Sequence, residues 1–95
     1  MKVSLTDLAL TDLQEIGCFY DKQLVPHVGQ RYVAEIIERI ETLINHPDIG
    51  RVVPEFSDNK IRELIHPPYR VVYLREASSI FVLRVWRTER ILELP

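Results

Sequence analysis

Residues 61–75, IRELIHPPYRVVYLR, and the following residues 79–92, SIFVLRVWRTERIL, decide the fold of this chain. Both stretches are rich in β-branched and aromatic residues, and Pro67-Pro68 and Ala77-Ser78-Ser79 interrupt them. The pattern predicts strands at residues 60–66, 69–75 and 80–86, and the short connections predict antiparallel hairpins. Strict alternation places three residues of the second strand on one face, Tyr69, Val71 and Tyr73. In the third strand it places Val82, Arg84 and Trp86 opposite Phe81, Leu83 and Val85.

The first half of the chain predicts two helices. Residues 6–23 carry apolar side chains at helical spacing, and a capping-box pattern at 11–14 leaves open a later start. Gly17 within this run suggests a close approach between helices. Pro26 marks the break. The second helix has one apolar stripe opposite a charged face, and the stripe consists of Val33, Ile36, Ile37, Ile40, Leu43 and Ile44. The short link predicts a helical hairpin. Residues 3–5 fit either an edge strand or an entry segment.

Composition is that of an ordinary globular protein. A length of 95 residues predicts a single domain spanning residues 1–95. No apolar run is long enough to span a membrane and no signal-peptide core is visible, so we expect a cytoplasmic protein without membrane contact. Cys18 is the only cysteine, which excludes an internal disulfide, and we expect it to pack as a small apolar residue. The three histidines lack metal-ligand spacing, and neither a metal nor a cofactor is predicted.

Charge is distributed unevenly along the chain. Residues 1–48 carry four basic and eight acidic side chains, whereas residues 49–95 carry eight basic and six acidic ones. The overall net charge of −2 argues against a general nucleic-acid binder. All but one of the C-terminal basic residues are arginine, which suits carboxylate, phosphate and aromatic partners.

Five segments, in this order and spacing, resemble the ParE/RelE toxins of bacterial type II toxin–antitoxin pairs. They are LTDLALTDLQEIGCFY (5–20), PDIGRVVPEF (47–56), IREL (61–64), YRVVY (69–73) and VLRVW (82–86). The resemblance covers nearly the whole chain and lies closer to the ParE-like members. It implies an α+β fold of β-α-α-β-β-β order, with an N-terminal helical hairpin packed on a small antiparallel sheet. It also implies a cognate antitoxin protein as partner, with DNA contact only through that antitoxin.

The resemblance leaves two activities open. RelE-like members are ribosome-dependent mRNA endoribonucleases, and such cleavage needs a general base, an acid and cations around one phosphate. They place basic residues on the first strand of the meander and an arginine on the second, where this chain has Arg70. Ile61, Glu63 and Thr88 stand where other nuclease residues are expected. Glu63 as base, His66 as acid and Arg70 as clamp are therefore only weak catalytic candidates, and the question of enzymatic activity stays open.

ParE-like members inhibit DNA gyrase, which arrests growth, and they serve in plasmid stabilisation. Such a protein works by binding, so it needs a shaped surface rather than a catalytic set. Trp86 between arginines has the composition of a binding hot spot, or else caps the core beside the helices. We predict five partner-binding residues, Arg70, Arg84, Trp86, Arg87 and Arg90. For Arg70 the alternative is a structural ion pair with Glu63 on the neighbouring strand. The favoured function is a gyrase-inhibiting toxin; the alternatives are the RelE-like nuclease and a degenerate member that only binds its antitoxin.

Overall fold

A computed structural model describes residues 1–88 of the chain. Its elements are β1 (Lys2–Leu5), α1 (Asp7–Lys22), α2 (Pro26–Glu41), a 3-10 turn (Thr42–Ile44), β2 (Arg51–Val52), β3 (Ile61–His66), β4 (Tyr69–Arg75) and β5 (Ser79–Arg87). The strands form one sheet in the order β1-β5-β4-β3-β2. The α+β prediction is confirmed, with two differences. β2 is an additional two-residue strand, and the sheet is mixed because β1 pairs with β5 in parallel.

Helix α1 begins where the chain leaves the sheet, not at the later capping-box pattern. Thr6 is its N-cap, and the Thr6 hydroxyl oxygen accepts a hydrogen bond from the backbone N–H of Ala9 at 3.1 Å. This satisfies one of the unpaired donors of the first turn. The same hydroxyl donates to the carbonyl of Leu83 on β5 at 2.9 Å. One side chain thus fixes both the start of the helix and its position on the sheet.

A turn with a left-handed residue joins the two helices. Leu24 has a φ of 62° and is 86% exposed. The backbone N–H groups of Leu24 and Val25 donate to the carbonyls of Asp21 and Tyr20, both at 3.0 Å. This is the Schellman pattern, whose left-handed position usually holds glycine. Pro26 then opens α2, where its missing N–H costs no helical hydrogen bond.

Two glycines mark the closest approach of α1 and α2. A Cβ added at Gly29 would lie 3.0 Å from the Cβ of Tyr20 and 3.4 Å from the Cα of Gly17. A Cβ added at Gly17 meets nothing within 4 Å. The helices therefore meet at Gly17, as predicted, but Gly29 is the residue that the close approach requires.

The main core lies between the helical hairpin and one face of the sheet. Buried side chains of both layers form it: Ala9, Leu13, Ile16, Ile36, Ile40, Leu43, Leu64, Tyr69, Val71, Tyr73, Ile80, Val82 and Val85. The predicted shared face of Tyr69, Val71 and Tyr73 is confirmed. The buried Tyr73 hydroxyl donates to the carbonyl of Pro47 at 2.9 Å and accepts from the backbone N–H of Gly50 at 3.0 Å. This ties the loop after α2 to the centre of the sheet.

A second, smaller core lies on the sheet face away from the helices, hereafter the outer face. Val53, Ile61, Val72 and Trp86 form it, with Phe56, Leu74 and Leu83 packed against them. Trp86 is 3% exposed. Trp86 is thus a core residue, as the alternative interpretation held, but its packing neighbours belong to the outer-face core and not to the core under the helices.

A β-bulge explains where Trp86 lies. Val72 pairs with Arg84 but Tyr73 pairs with Val82, so Leu83 is an extra residue in β5. An extra residue reverses the alternation beyond it. The strict alternation predicted for the third strand is therefore wrong, because Val82 and Val85 both face the helices.

Some apolar residues of the helices are more exposed than the sequence suggested. Cys18 is exposed, so its prediction as a packing residue is wrong. Ile37 and Ile44 of the α2 stripe are 40% and 45% exposed, whereas Ile36, Ile40 and Leu43 are buried. None of the helices in residues 1–88 has the length and apolar character that crossing a bilayer requires.

Candidate functional site

Glu63 lies fully buried between two arginines on the outer face. Its Oε2 accepts a hydrogen bond from Nε of Arg51 at 2.6 Å, and its Oε1 accepts one from Nε of Arg70 at 2.7 Å. Nη2 of Arg70 also contacts Oε1. The pairing of β2, β3 and β4 brings the three residues together, since Arg51 lies opposite Glu63 and Arg70 lies diagonally across from it. The structure thus contains the Arg70–Glu63 ion pair that the sequence offered as the alternative to partner binding.

Arg70 is enclosed by this cluster. Its side chain is 7% exposed, and its Nη1 lies 3.5 Å from Oε2 of Glu55 in the loop before β3. Burying a guanidinium is costly unless carboxylates compensate it, and here two do so. The assignment of Arg70 to partner binding stays a prediction, and the observed contacts of its side chain are intramolecular.

The three weak catalytic candidates do not form one constellation. Glu63 and Arg70 share the outer face, whereas His66 pairs with Tyr69 on the helical side of the sheet. Nε2 of His66 lies 3.4 Å from Oε2 of Glu35 on α2. An acid and a base that act on one phosphate have to reach the same substrate, and the sheet itself separates these two.

Asp12 lines a groove between α1 and β5 and was not among the residues predicted from the sequence. Its carboxylate accepts two hydrogen bonds from Arg84, at 2.8 and 2.9 Å, and one from the backbone N–H of Val85 at 2.9 Å. The pKa of Arg84 is raised, because the hydrogen bonds to Asp12 favour its charged form. Asp12 stands on the same helical stripe as Ala9 and Ile16, and a carboxylate among buried positions was the available signal.

Arg84 is thereby held against the predicted hot spot. Its guanidinium carbon lies 4.5 Å from the ring centroid of Trp86, within cation–π distance. Its side chain is 17% exposed. Asp12 and Arg84 together fix the path of β5 directly after the bulge.

An open groove of about 650 Å³ runs between α1 and the end of β5. Nine residues line it: Asp12, Glu15, Ile16, Phe19, Tyr20, Tyr69, Val85, Trp86 and Arg87. We call it the α1–β5 groove. Of the predicted partner-binding residues, Trp86 and Arg87 line it and Arg84 lies beside it, whereas Arg70 is on the outer face. Arg90 lies outside the described residues.

The floor of the α1–β5 groove continues into an aromatic cluster. The rings of Phe19 and Tyr20 are 4.9 Å apart, and Tyr32 links Tyr20 to Tyr69 at 5.5 Å on each side. Burial raises the pKa of Tyr69, so its hydroxyl stays neutral. The Arg87 guanidinium carbon lies 5.8 Å from the Tyr69 ring centroid. The groove thus has an aromatic, largely apolar floor with the Arg87 guanidinium beside it.

Nothing in residues 1–88 gathers three or more histidine, cysteine, aspartate or glutamate side chains in a way that could hold a metal ion.

Comparison with known proteins gives a consistent result. Residues 3–92 match a family model described as the ParE toxin of the type II toxin–antitoxin system, parDE. A chain in the solved structure titled "Chromosomal ParDE TA system from P. aeruginosa" is similar in fold, with a TM-score of 0.77 and 24% sequence identity. The alignment covers 94% of this chain and 97% of that one. A comparison with curated protein sequences gives no match.

Proposed function

This chain belongs to the ParE toxin family of type II toxin–antitoxin systems, and we propose that it arrests growth by binding DNA gyrase in the cytoplasm. We further propose that a cognate antitoxin protein binds and neutralises it. On this account the protein is a binding inhibitor, and its activity depends on a shaped surface rather than on a catalytic set.

The observation that carries the proposal is the state of Glu63. Its side chain has no exposed surface, and both of its oxygens are occupied by arginine N–H groups. A general base for RNA cleavage has to accept a proton from a ribose hydroxyl, and a phosphate site needs cations that can reach the phosphate. Here the Arg70 guanidinium is already held by an internal carboxylate. This arrangement favours a binding inhibitor over a nuclease.

The α1–β5 groove supports the second half of the proposal. Large aromatic surfaces next to an arginine are typical of interface hot spots. Phe19 is 48% exposed and its ring packs on that of Tyr20, so a partner can cover it at little cost in ordering. The groove therefore suits a protein partner that neutralises the toxin.

The test is to induce the chain in cells without its antitoxin and to assay two products in parallel. We expect gyrase-linked DNA breaks to accumulate while ribosome-bound mRNA stays intact. His66→Ala serves as the matched variant, since it removes the one imidazole considered as a nuclease acid and leaves Glu63 in place. We expect it to arrest growth as the parent chain does. Codon-positioned mRNA cuts that His66→Ala abolishes would instead establish the nuclease.

A further inference from the structure

We propose that Arg51 is a contact residue for the target, and that its guanidinium binds a carboxylate of gyrase at the outer face of the sheet. The inference rests on the proposed inhibition of gyrase. It adds the surface through which the chain binds its target and the chemistry of the contact. That surface lies at the sheet edge formed by β2 and β3, away from the α1–β5 groove.

The first step of the argument is the way in which Arg51 is held. Its Nε donates to Oε2 of Glu63 at 2.6 Å, yet its side chain is 62% exposed, whereas that of Glu63 has no exposed surface. Within residues 1–88, the Arg51 side chain forms hydrogen bonds through Nε alone. Its two terminal nitrogens, which carry four N–H donors, are therefore open to a partner.

The second step is the fixed position of the carboxylate that holds Arg51. Glu63 lies directly opposite Arg51 in the register of β2 and β3. Its other oxygen accepts from Nε of Arg70, whose side chain is 7% exposed, so both sides of the carboxylate are occupied. An exposed arginine normally loses side-chain freedom when a partner binds it. Here the buried carboxylate already restricts the Arg51 guanidinium, so less of that cost remains on binding.

The third step is the apolar surface on the same face of the sheet. Ile65 follows Glu63 by two residues on β3, so the two side chains project from the same face, and Ile65 is 37% exposed. Farther across this face, Phe81 of β5 is 39% exposed and pairs with Leu74 of β4. An arginine on a face with half-exposed apolar side chains has the composition of a protein–protein interface.

The fourth step is charge, which favours a protein carboxylate over a nucleic-acid phosphate. A guanidinium binds either group, but a nucleic-acid backbone is bound by several cations together. Here Arg51, Glu63, Arg70 and Glu55 form one series of contacts with two charges of each sign, and Glu55 at its far end is 38% exposed. A phosphate backbone that crossed this surface would also meet Glu55, whereas a single carboxylate has to contact only Arg51.

The experiment measures binding of the full chain, labelled at the exposed Cys18 of α1, to gyrase assembled on a DNA duplex. We expect Arg51→Ala to weaken binding at least about 30-fold, the loss typical of a hot-spot residue. Arg51→Lys should weaken it at least about 10-fold, because an ammonium held by Glu63 offers the partner no planar fork. Arg31→Ala is the matched control, because the Arg31 side chain is 65% exposed but lies on α2. We expect it to change the dissociation constant less than about 3-fold.

Two further titrations, with the antitoxin and with the DNA duplex alone, complete the test. We expect Arg51→Ala to bind the antitoxin within about 3-fold of the parent chain, which also shows that the variant is folded. Gyrase binding by Arg51→Ala or Arg51→Lys as tight as that of the parent chain would overturn the inference. So would an equal loss of antitoxin binding, or binding of the parent chain to the duplex alone that Arg51→Ala abolishes. Each of these outcomes leaves the proposed function standing if the parent chain binds gyrase, whereas a parent chain that does not bind gyrase refutes both.

Discussion

The buried pair of Glu63 and Arg70 gives the sharpest prediction about stability. The Glu63 side chain has no exposed surface and that of Arg70 is 7% exposed. Removing one member of a buried ion pair leaves an uncompensated charge and costs about 3–5 kcal/mol. We therefore expect Glu63→Gln and Arg70→Met each to lower the free energy of unfolding by about 3 kcal/mol. In a domain of this size, a loss of that magnitude lowers the melting temperature by roughly 12–24 °C.

The double variant separates pairing from packing. When both charges are absent, neither is left buried alone, so Glu63→Gln with Arg70→Met should lose clearly less than the sum of the two single losses. We expect a coupling energy of about 2 kcal/mol. Arg51→Ala is the control on the other side of Glu63. The Arg51 side chain is 62% exposed, so its loss should cost at most about 1 kcal/mol.

The assay is urea unfolding followed by the fluorescence of Trp86, the only tryptophan of the chain. Trp86 belongs to the outer-face core, beside the strands that carry the pair. Single variants that each lose less than about 1 kcal/mol, or a strictly additive double variant, would refute the claim that the pair is structural. Arg70 would then be open to partner binding, as the sequence suggested.

Five further substitutions test the fold and the pH dependence of stability. Gly29→Ala should lower the free energy of unfolding by about 1–3 kcal/mol, because the added Cβ would lie 3.0 Å from the Cβ of Tyr20. Gly17→Ala should raise it by up to about 1 kcal/mol through helix propensity, because an added Cβ there meets nothing within 4 Å. The same urea assay measures both, and the opposite ranking of the two variants would contradict the observed helix contact. Leu24→Gly should raise the free energy of unfolding by up to about 1 kcal/mol, because leucine is strained at its φ of 62°, and no gain in melting temperature would argue against that strain. Gly50→Ala should lower the free energy of unfolding by about 2 kcal/mol, because a Cβ there would lie 2.6 Å from the Tyr73 hydroxyl oxygen. An unchanged urea midpoint would mean that the loop around residue 50 shifts to accept the methyl group. Burial raises the pKa of Tyr73, so the unfolded chain loses the phenol proton at a lower pH than the folded chain does. The free energy of unfolding should therefore fall as pH rises past about 10. If Tyr73→Phe showed the same dependence of stability on pH above about 10 as the parent chain, this cause would be excluded.

Patterns that span a few residues predicted much of the fold. The apolar stripe predicted for the second helix identified Ile36 and Ile40 of α2 and Leu43 of the 3-10 turn as core residues, because helical periodicity follows directly from local geometry. The alternation of β4 placed Tyr69 and Tyr73 on one face for the same reason. Both elements are regular along their whole length, so local periodicity was sufficient.

Contacts that are distant in sequence were not predictable in this way. The bulge of β5 is held by Asp12 through a hydrogen bond to Val85, 73 residues away, and no local pattern reports it. The parallel pairing of β1 with β5 is another contact between distant parts of the chain, because residues 2–5 pair with residues 79–82. The position of Trp86 on the outer face also depends on the bulge, which reverses the alternation along β5.

Glu63 shows how far the candidate site could be predicted from the sequence. Its spacing from Arg70 suggested either catalysis or pairing, and only the register of β3 and β4 decides between contact and separation. Its burial depends in addition on Arg51, which lies on a two-residue strand that the sequence did not indicate. The separation of His66 from Glu63 follows from simple alternation along β3, once the face of each residue is known.

The most direct test of the account is a cleavage-complex assay with purified DNA gyrase, supercoiled plasmid and this chain, with and without the antitoxin. The account predicts that the chain alone increases protein-linked double-strand breaks in the plasmid, and that an equimolar amount of antitoxin abolishes the effect. Gyrase that supercoils and releases DNA normally at saturating concentrations of the folded chain would contradict the account.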